Sequence, residues 1–565
     1  MQKRWVEPSE INLEQAIALG KELTISTALS SILVKRGVCV FEDAKFFFRP
    51  ELSHLHDPFL MKDMDKAIAR IEEAIGNNEK IVIYGDYDVD GTTAVAVAYS
   101  FFREFHSKLV FYVPDRYKEG YGISEQGIDW ANENGCTLII ALDCGIKAID
   151  QIDYAKEKGI DFIIGDHHTP GDALPSAVAV LDPKRRDCNY PYDELSGCGI
   201  AFKIIHAFAI RNNISQDAVF KYLDLVAVSI ASDIVPVTGE NRVLAHYGLK
   251  KLNSNPCFGL LALMNLTARK GDFTIDNVVF QIGPRINAAG RIKHAKDAVS
   301  LLISRSLNEA ESFSAGIDIQ NTERKGHDSR ITEQALSMIK SKEEWINRKT
   351  TVVYQNDWHK GVIGIVASRL TEKYYRPTIV LTNSNGVVAG SARSVVGYDL
   401  YEALDACSDL LEQFGGHKYA AGLTMREENI PALQDRFEEV VSASILPEML
   451  IQDIIIDQEL NLADIDGKFC RVLKQFAPFG PMNQAPVFIS KRVKSYGSAS
   501  IVGANHLKFS VTQEGSSSFN CIGFGLGEFA TLINSGAPFD ICYSIEENNW
   551  RDKVCVQLNI KGINP

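Results

Sequence analysis

Three aspartates alternate at the end of one apolar run, Ile81-Val82-Ile83-Tyr84-Gly85-Asp86-Tyr87-Asp88-Val89-Asp90-Gly91. Carboxylates this close repel one another unless a cation or strong donors lie among them. The run reads as a buried strand, Gly91 as a tight turn, and Thr92 or Thr93 as the cap of an apolar helix beginning at Ala94. Open α/β sheets keep their ligands at the C-terminal ends of the strands, and an all-oxygen donor set suits a hard divalent cation, Mg²⁺ or Mn²⁺. Two other readings compete. An acidic surface turn is common in any protein. Asp-x-Asp-x-Asp-Gly also opens a calcium loop, but that loop needs Glu at its twelfth position, where Val97 stands, and a helix rather than a strand before it.

The elements that must hold these residues repeat the same pattern. Strand readings at 81–84, 109–113, 137–142, 161–164 and 178–181 alternate with helical patterns at about 93–105, 124–134 and 147–158. Short apolar strands spaced by helices predict an α/β lobe with a doubly wound parallel sheet. The third strand ends in Asp143-Cys144-Gly145 and the fourth in Asp166-His167-His168. Separate strands therefore bring metal-capable residues to one sheet edge, which raises the cation reading above the surface turn. Asp233 ends the apolar stretch from Leu223 to Ile234. A carboxylate there needs a cation or donors, or it caps a neighbouring helix.

Further along, Gly239-Glu240-Asn241-Arg242 and Arg285-Ile286-Asn287-Ala288-Ala289-Gly290-Arg291 place arginines beside small residues, suited either to phosphate or to salt bridges between domains. Residues 306–343 carry charged, helix-forming sequence without Pro and predict one long connecting helix. A second, smaller α/β lobe begins near Thr351, with strands at 378–382 and 386–391 and a helix at about 399–413. It holds Gly390-Ser391-Ala392-Arg393, which offers backbone donors, a hydroxyl and a guanidinium together, and Gly415-Gly416-His417, where backbone can approach a ligand. From about Gln452 the pattern is β, and a five-stranded, OB-fold-like barrel is expected, with Lys491, Arg492, Lys494 and Tyr496 as loose candidates for strand contact. The expected plan is an N-terminal helical extension (1–60) punctuated by Pro8, Pro50 and Pro58, a catalytic domain (61–305), a connecting helix (306–345), a substrate-binding domain (346–448) and the barrel (449–565). Phe46, Phe47 and Phe48 are expected to pack the extension on the domain that follows it.

Bulk properties narrow the class. The formal net charge of −13 argues against nucleic-acid binding over the whole surface, although a basic groove could draw on a minority of the 59 Lys and Arg. No run of 18 apolar residues predicts a membrane span, and the first residues lack the apolar core of a signal peptide. Eleven scattered cysteines without a C-x-x-C pair suit reduced thiols and a cytoplasmic location, not a zinc cage.

The set Asp86/Asp88/Asp90, Asp143-Cys144-Gly145, Asp166-His167-His168 and Asp233, in that order and at intervals of about 55, 24 and 66 residues, resembles the DHH phosphoesterase superfamily. The arginine motifs, Gly415-Gly416-His417, and Ala477-Pro478-Phe479-Gly480-Pro481 before the β region resemble its RecJ family of single-strand exonucleases, over roughly residues 60–560. The resemblance implies Asp88, Asp90, Asp143, His167 and Asp233 as ligands of two Mn²⁺ or Mg²⁺ ions, with Asp143 between them. It implies Asp86 and Asp166 as groups that orient those ligands, and His168, Asn287 and Arg291 as contacts of the scissile phosphate. Arg116, Tyr121, Ser391 and Arg393 match the family's 5′-end pocket, with Gly415, Gly416 and His417 also binding substrate. The superfamily's phosphatase branch has His where Tyr84 stands, which implies one ion with fewer protein ligands. The implied activity is 5′→3′ hydrolysis of single-stranded DNA in recombination and repair by a monomer, with a single-strand-binding protein and a RecQ-type helicase as partners and no membrane. A phosphodiesterase of short oligonucleotides or dinucleotides, and a strand-binding member without catalysis, are the alternatives.

Overall fold

The computed structural model describes residues 3–7, 10–269, 271–384, 386–550 and 553–565; Pro8, one of the expected breaks, lies outside them. The chain forms two compact units, Glu7–Asp318 with Ile455–Pro565, and Met1–Val6 with Ile319–Ile454.

The first unit is built on β1 (Ile81–Gly85), α1 (Val89–Phe102), β2 (Leu109–Tyr112), α2 (Glu125–Glu133), β3 (Leu138–Leu142), α3 (Ile149–Glu157), β4 (Asp161–Gly165) and β5 (Ala179–Leu181). Its sheet has the order β2-β1-β3-β4-β5, and every pairing is parallel. Strands covered on both faces read as unbroken apolar runs, as these do. Ile83, Ile140 and Ile163 enter one core with α1 and α4 (Gly197–Arg211); Val82, Ile139 and Phe162 enter a second with α2 and α3. Strand order reverses between β1 and β3, and the crevice beyond the strand ends at such a reversal is where doubly wound sheets bind ligands. The apolar helix α5 (Leu223–Ser232) packs on α1 and α4. A π-helical turn, Val278–Ile282, leads into α6 (Gly283–Ile292).

One local expectation is corrected. Helix α1 starts at Val89, not Ala94, because Asp88 caps it by accepting the Gly91 N–H at 3.0 Å. Gly91 lies inside the helix. It is needed for close approach rather than for a turn, since a Cβ there would stand 2.4 Å from the Asp86 carbonyl oxygen. Asp90 is thereby lifted out of the loop and into the first helical turn.

The expected connecting helix is α7 (Leu307–Lys340). The second unit carries β6 (Thr351–Tyr354), α8 (Ile363–Tyr374), β7 (Thr378–Ser384), β8 (Val387–Arg393), β9 (Gln413–His417) and β10 (Ala420–Met425). The sheet order is β9-β10-β8-β7-β6, parallel at β6–β7 and antiparallel elsewhere. The helix expected over 399–413 is shorter, Leu400–Asp405, and Gln413 already begins β9. The stretch Cys407-Ser408-Asp409 has poor helix formers, and Gly415-Gly416 has almost none of the helical preference needed to continue.

The barrel belongs to the first unit and uses β11 (Phe488–Ser495), β12 (His506–Thr512), β13 (Phe519–Gly523), α9 (Ala530–Asn534), β14 (Phe539–Trp550) and β15 (Lys553–Asn564). The pairings run β11-β12-β13-β15-β14 and back to β11, a closed five-strand ring with β13–β15 parallel, as the OB-fold expectation required. The phenylalanine expectation holds only in part. The Phe47 ring does meet the domain next in sequence, 3.8 Å from the Arg242 guanidinium, but Phe47 and Phe48 also pack edge-on against Phe476, so the N-terminal helices join the core of the C-terminal barrel. Apolar surface follows whichever partner buries it, and sequence adjacency does not enter.

Candidate functional site

The ends of β1, β3 and β4 and the end of α5 converge. Asp86 follows β1, Asp143 follows β3, Asp166 and His167 follow β4, and Asp233 caps the C terminus of α5. Asp86, Asp90, Asp143, Asp166 and His167 are all buried. His167 Nε2 lies 3.2 Å from Asp143 Oδ1, and 3.6 Å from both Asp90 Oδ2 and Asp233 Oδ2. Among the described residues, neither ring nitrogen of His167 has a hydrogen-bond partner. Burial drives its pKa down. A buried imidazole without a hydrogen-bond partner, facing three carboxylates, is a poor arrangement for the protein by itself.

The carboxylates show the same tension. Burial, then the charges of Asp90 and Asp88, push Asp143 well above the ordinary carboxylate range. The same causes raise Asp233 to about 8. Burial and Asp88 raise Asp86, and burial and Asp90 raise Asp88. A cation removes all these penalties at once. The donor set therefore fits a divalent metal: Asp90, His167 and Asp233 offer ligand atoms within 4.8 Å of one another, and so do Asp143, His167 and His168. Asp88 stands outside both triads, one oxygen being engaged by the helix cap, and adds charge beside them.

Donors that the sequence reading missed hold the site in place. Asp90 accepts from the Gly197 N–H at 2.7 Å, the Cys198 N–H at 2.8 Å and Ser229 Oγ at 2.6 Å. The first two are orphan donors of the α4 N terminus, where the helix dipole also favours an anion. Ser196, immediately before Gly-x-Gly and an apolar run, was the available signal for that helix start. Gly197 lies so close that a Cβ there would stand 2.6 Å from both Asp143 Cβ and Oδ1. Asp143 itself has φ 62°, a left-handed conformation that turns its side chain away from the strand line.

Asp166 works on its neighbours. Its Oδ1 accepts from the His167 N–H at 2.8 Å and from His168 Nδ1 at 2.7 Å, and its Oδ2 from the Ile146 N–H at 2.9 Å. The Tyr121 hydroxyl donates to the Asp143 carbonyl at 3.1 Å, which leaves its oxygen to accept from His168 Nε2 at 3.2 Å. Both ring nitrogens of His168 then donate, which is the imidazolium pattern. Burial opposes that charge, but the Asp166 hydrogen bond and charge outweigh it and raise His168 to about 8.

Asn287 and Arg291 lie one helical turn apart on α6. That helix is pressed against the acidic loop, since a Cβ at Gly290 would stand 2.9 Å from the Tyr87 carbonyl oxygen. The Arg116 guanidinium sits 4.9 Å from the Tyr87 ring centre. Tyr84 is buried away from the carboxylates, donating to the Gly122 carbonyl at 3.0 Å and stacked on Tyr112.

Two other arginines do not serve the site. Arg242 donates to the carbonyls of Phe47 at 2.9 Å, Phe476 at 3.0 Å, Ala477 at 3.1 Å and Gln475 at 3.3 Å, and burial lowers it to about 9. It ties the N-terminal helices to the barrel. Arg285 pairs with Asp318 at 3.0 Å.

In the second unit, Arg393 Nη1 donates to Ser391 Oγ at 3.2 Å on β8, against which α8 packs. The register aligns Ser391 with Gly422 and Gly415, and Arg393 with Ala420 and His417. Four of the five expected residues, Ser391, Arg393, Gly415 and His417, thus fall in two cross-strand rows on one face of the sheet, while Gly416 lies in the row between them, with Ala421 and Ala392.

Comparison with known proteins agrees with this arrangement. Residues 80–230 match the DHH family N-terminal domain, 347–443 the DHHA1 domain, and 456–562 the RecJ OB domain. The chain is 38% identical to the single-stranded-DNA-specific exonuclease RecJ of Bacillus subtilis over 99% of its own length and 70% of that protein's. It is 30% identical to the exonuclease of the same name from Escherichia coli, over 89% of this chain and 91% of that one. The crystal structure of RecJ in complex with Mn²⁺ from Thermus thermophilus superposes with TM-score 0.85 and 26% identity, over 100% of this chain and 79% of that one. The convergence of the strand-end acids on His167 is matched by similarity along nearly the whole chain, and the protein belongs to the RecJ family of DHH-domain proteins.

Proposed function

We propose that this protein is a metal-dependent exonuclease that hydrolyses single-stranded DNA 5′→3′ to 5′-mononucleotides, in DNA recombination and repair. The observation that carries the reading is the buried, unpartnered His167 ring among Asp90, Asp143 and Asp233. These four, with Asp88, would hold two Mn²⁺ or Mg²⁺ ions. When bound, such a pair supplies Lewis-acid activation of water and neutralises charge on the attacking and leaving oxygens of a phosphodiester.

The chain's own residues do the rest. Asp86 accepts from the Gly122 N–H and so holds the segment that carries Tyr121, while Asp166 accepts from the His167 N–H and orients His168. His168, Asn287 and Arg291 donate to the scissile phosphate, where developing charge is best met by preplaced donors. Arg116 and Tyr121 in one unit are proposed as contacts of the 5′ end. Ser391, Arg393, Gly415, Gly416 and His417 in the other are proposed as an anion-binding face for the strand. No nucleophilic side chain is required.

Among the described residues no single helix is long and apolar enough to cross a membrane. We further propose that the protein acts as a cytoplasmic monomer beside a single-strand-binding protein and a RecQ-type helicase, on the strength of the family resemblance.

The test is digestion of one end-labelled strand in 5′-phosphate, 5′-hydroxyl, duplex and RNA forms, with and without Mn²⁺. Metal-dependent release of mononucleotides from single-stranded DNA is expected. Turnover confined to dinucleotides would replace this reading with the small-substrate phosphodiesterase. Strand binding without turnover would replace it with the non-catalytic binder.

A further inference from the structure

Directly after Asp233 stands Ile234, with φ 61°. This is the first position beyond the α5 cap, where a left-handed residue commonly ends a helix and Gly is the usual occupant. A β-branched side chain is among the least suited to it, because both Cβ branches crowd the backbone. Such strain persists only where something else requires the residue. Packing within the folded chain does not supply that requirement, because Ile234 is 66% exposed. Its neighbours Val235 and Val237 are buried, so the backbone here is well anchored without it.

A second exposed apolar side chain leaves an adjoining element. Phe280, on the π-helical turn Val278–Ile282, is 76% exposed, and that turn packs on α5 and leads directly into the helix of Asn287 and Arg291. π-Helical turns are rare and are found frequently at functional sites. Two large apolar groups thus stand in solvent on segments that also carry a proposed metal ligand and the proposed phosphate contacts.

We infer that Ile234 and Phe280 are substrate-contacting residues, two apolar side chains that receive the sugars and bases of nucleotides bound at the site. The inference rests on the exonuclease reading given above. A DNA strand is the occupant because its phosphates have charged partners at the site while its bases offer apolar faces that need a platform. A glycine would satisfy the backbone better, and the isoleucine is kept for what its side chain touches.

The experiment compares Ile234→Gly, Ile234→Asn, Ile234→Val and Phe280→Ala with the parent protein, using thermal unfolding and steady-state kinetics on single-stranded DNA with Mn²⁺. Gly and Asn relieve the left-handed strain, so both variants should fold with Tm at or above the parent value. The expected result is KM raised about tenfold by Ile234→Gly, Ile234→Asn and Phe280→Ala, in the range of a lost base contact, with Ile234→Val near the parent. Unchanged KM in Ile234→Gly and Phe280→Ala would overturn the inference. So would a fall in kcat at constant KM in both Ile234→Gly and Ile234→Asn, which would mean that the residue acts only by positioning Asp233. Either result leaves the exonuclease reading standing, whereas failure of the parent protein to degrade single strands removes that reading instead.

Discussion

Gly197→Ala adds one methyl group and changes no proposed ligand, and it should nevertheless disable the protein. The new Cβ would lie 2.6 Å from Asp143 Cβ and 2.6 Å from Oδ1. Carbon atoms pack best at about 3.5–4.0 Å, so roughly 1 Å of overlap must be relieved. Rotating the carboxylate away does not help, because the Asp143 Cβ itself is struck. The Asp143 backbone cannot retreat easily, since its N–H donates to the Gly165 carbonyl at 2.8 Å and its carbonyl accepts from Tyr121. Helix α4 must shift instead, and its Gly197 and Cys198 N–H groups hold Asp90. One substitution therefore disturbs two proposed ligand positions on different elements, Asp143 after β3 and Asp90 in α1. Overpacking of this kind costs about 1–3 kcal/mol of stability, and misplacement near 1 Å costs about a hundredfold in rate. Single-turnover release of a 5′-terminal nucleotide in Mn²⁺, with strand affinity measured by anisotropy in chelator, separates the effects. The expected result is a rate reduced about a hundredfold with strand affinity unchanged. Gly316→Ala on α7, where an added Cβ meets nothing within 4 Å, is the control and should be neutral or stabilising by up to about 1 kcal/mol. A Gly197→Ala protein with parental rate and parental Mn²⁺ dependence would refute the placement of Asp143 and Asp90 at the reacting centre.

Asp143→Asn should reduce turnover by more than about a hundredfold, the cost usually seen for losing even an outer-shell metal partner, while single-strand binding measured by gel shift persists. In chelator the same variant should unfold at or above the parental Tm, because a carboxylate disfavoured by burial and by Asp90 has become neutral. Saturating Mn²⁺ should stabilise the parent by about 2.7 kcal/mol at a hundred times Kd, and by much less in Asp143→Asn; equal stabilisation in calorimetry would count against the ligand set. Arg393→Ala should weaken single-strand affinity by about tenfold or more, the worth of a charge-assisted hydrogen bond, and parental affinity in a gel shift would remove its assigned role on the anion-binding face. Arg242→Met should destabilise by about 3–5 kcal/mol, since four carbonyl acceptors lose their donor, and urea unfolding will report it. The salt dependence of DNA binding should not change, as expected of an arginine that never meets phosphate.

Much of this protein is legible from local pattern. Apolar runs that end in Asp86, Asp143 and Asp166 fix both the strands and the edge at which their acids emerge, because a strand buried on two faces must be apolar and a parallel sheet puts every C-terminal end on one side. The long uninterrupted helix through residues 307–340 follows equally directly from helix-forming sequence without Pro. Local pattern also misleads where a side chain prefers a distant donor or a distant core. Thr92 and Thr93 looked like caps, yet Asp88 takes that place and carries Asp90 onto the α4 N terminus. The phenylalanines at 46–48 looked like a bridge to the next domain alone; Phe47 does meet Arg242 there, yet the core that Phe47 and Phe48 join is more than 400 residues away at Phe476.

The sequence by itself determined which chemistry is present: carboxylates and imidazoles delivered to one sheet edge, in an order that resembles the DHH phosphoesterase superfamily. Tertiary structure alone decided how they are held. His167 left without a partner, Asp90 clamped by a helix terminus, and Arg242 spent on carbonyl groups all depend on contacts between residues separated by tens to hundreds of positions. Burial and hydrogen-bond satisfaction are properties of the packed chain, and neither is written in any one stretch of it.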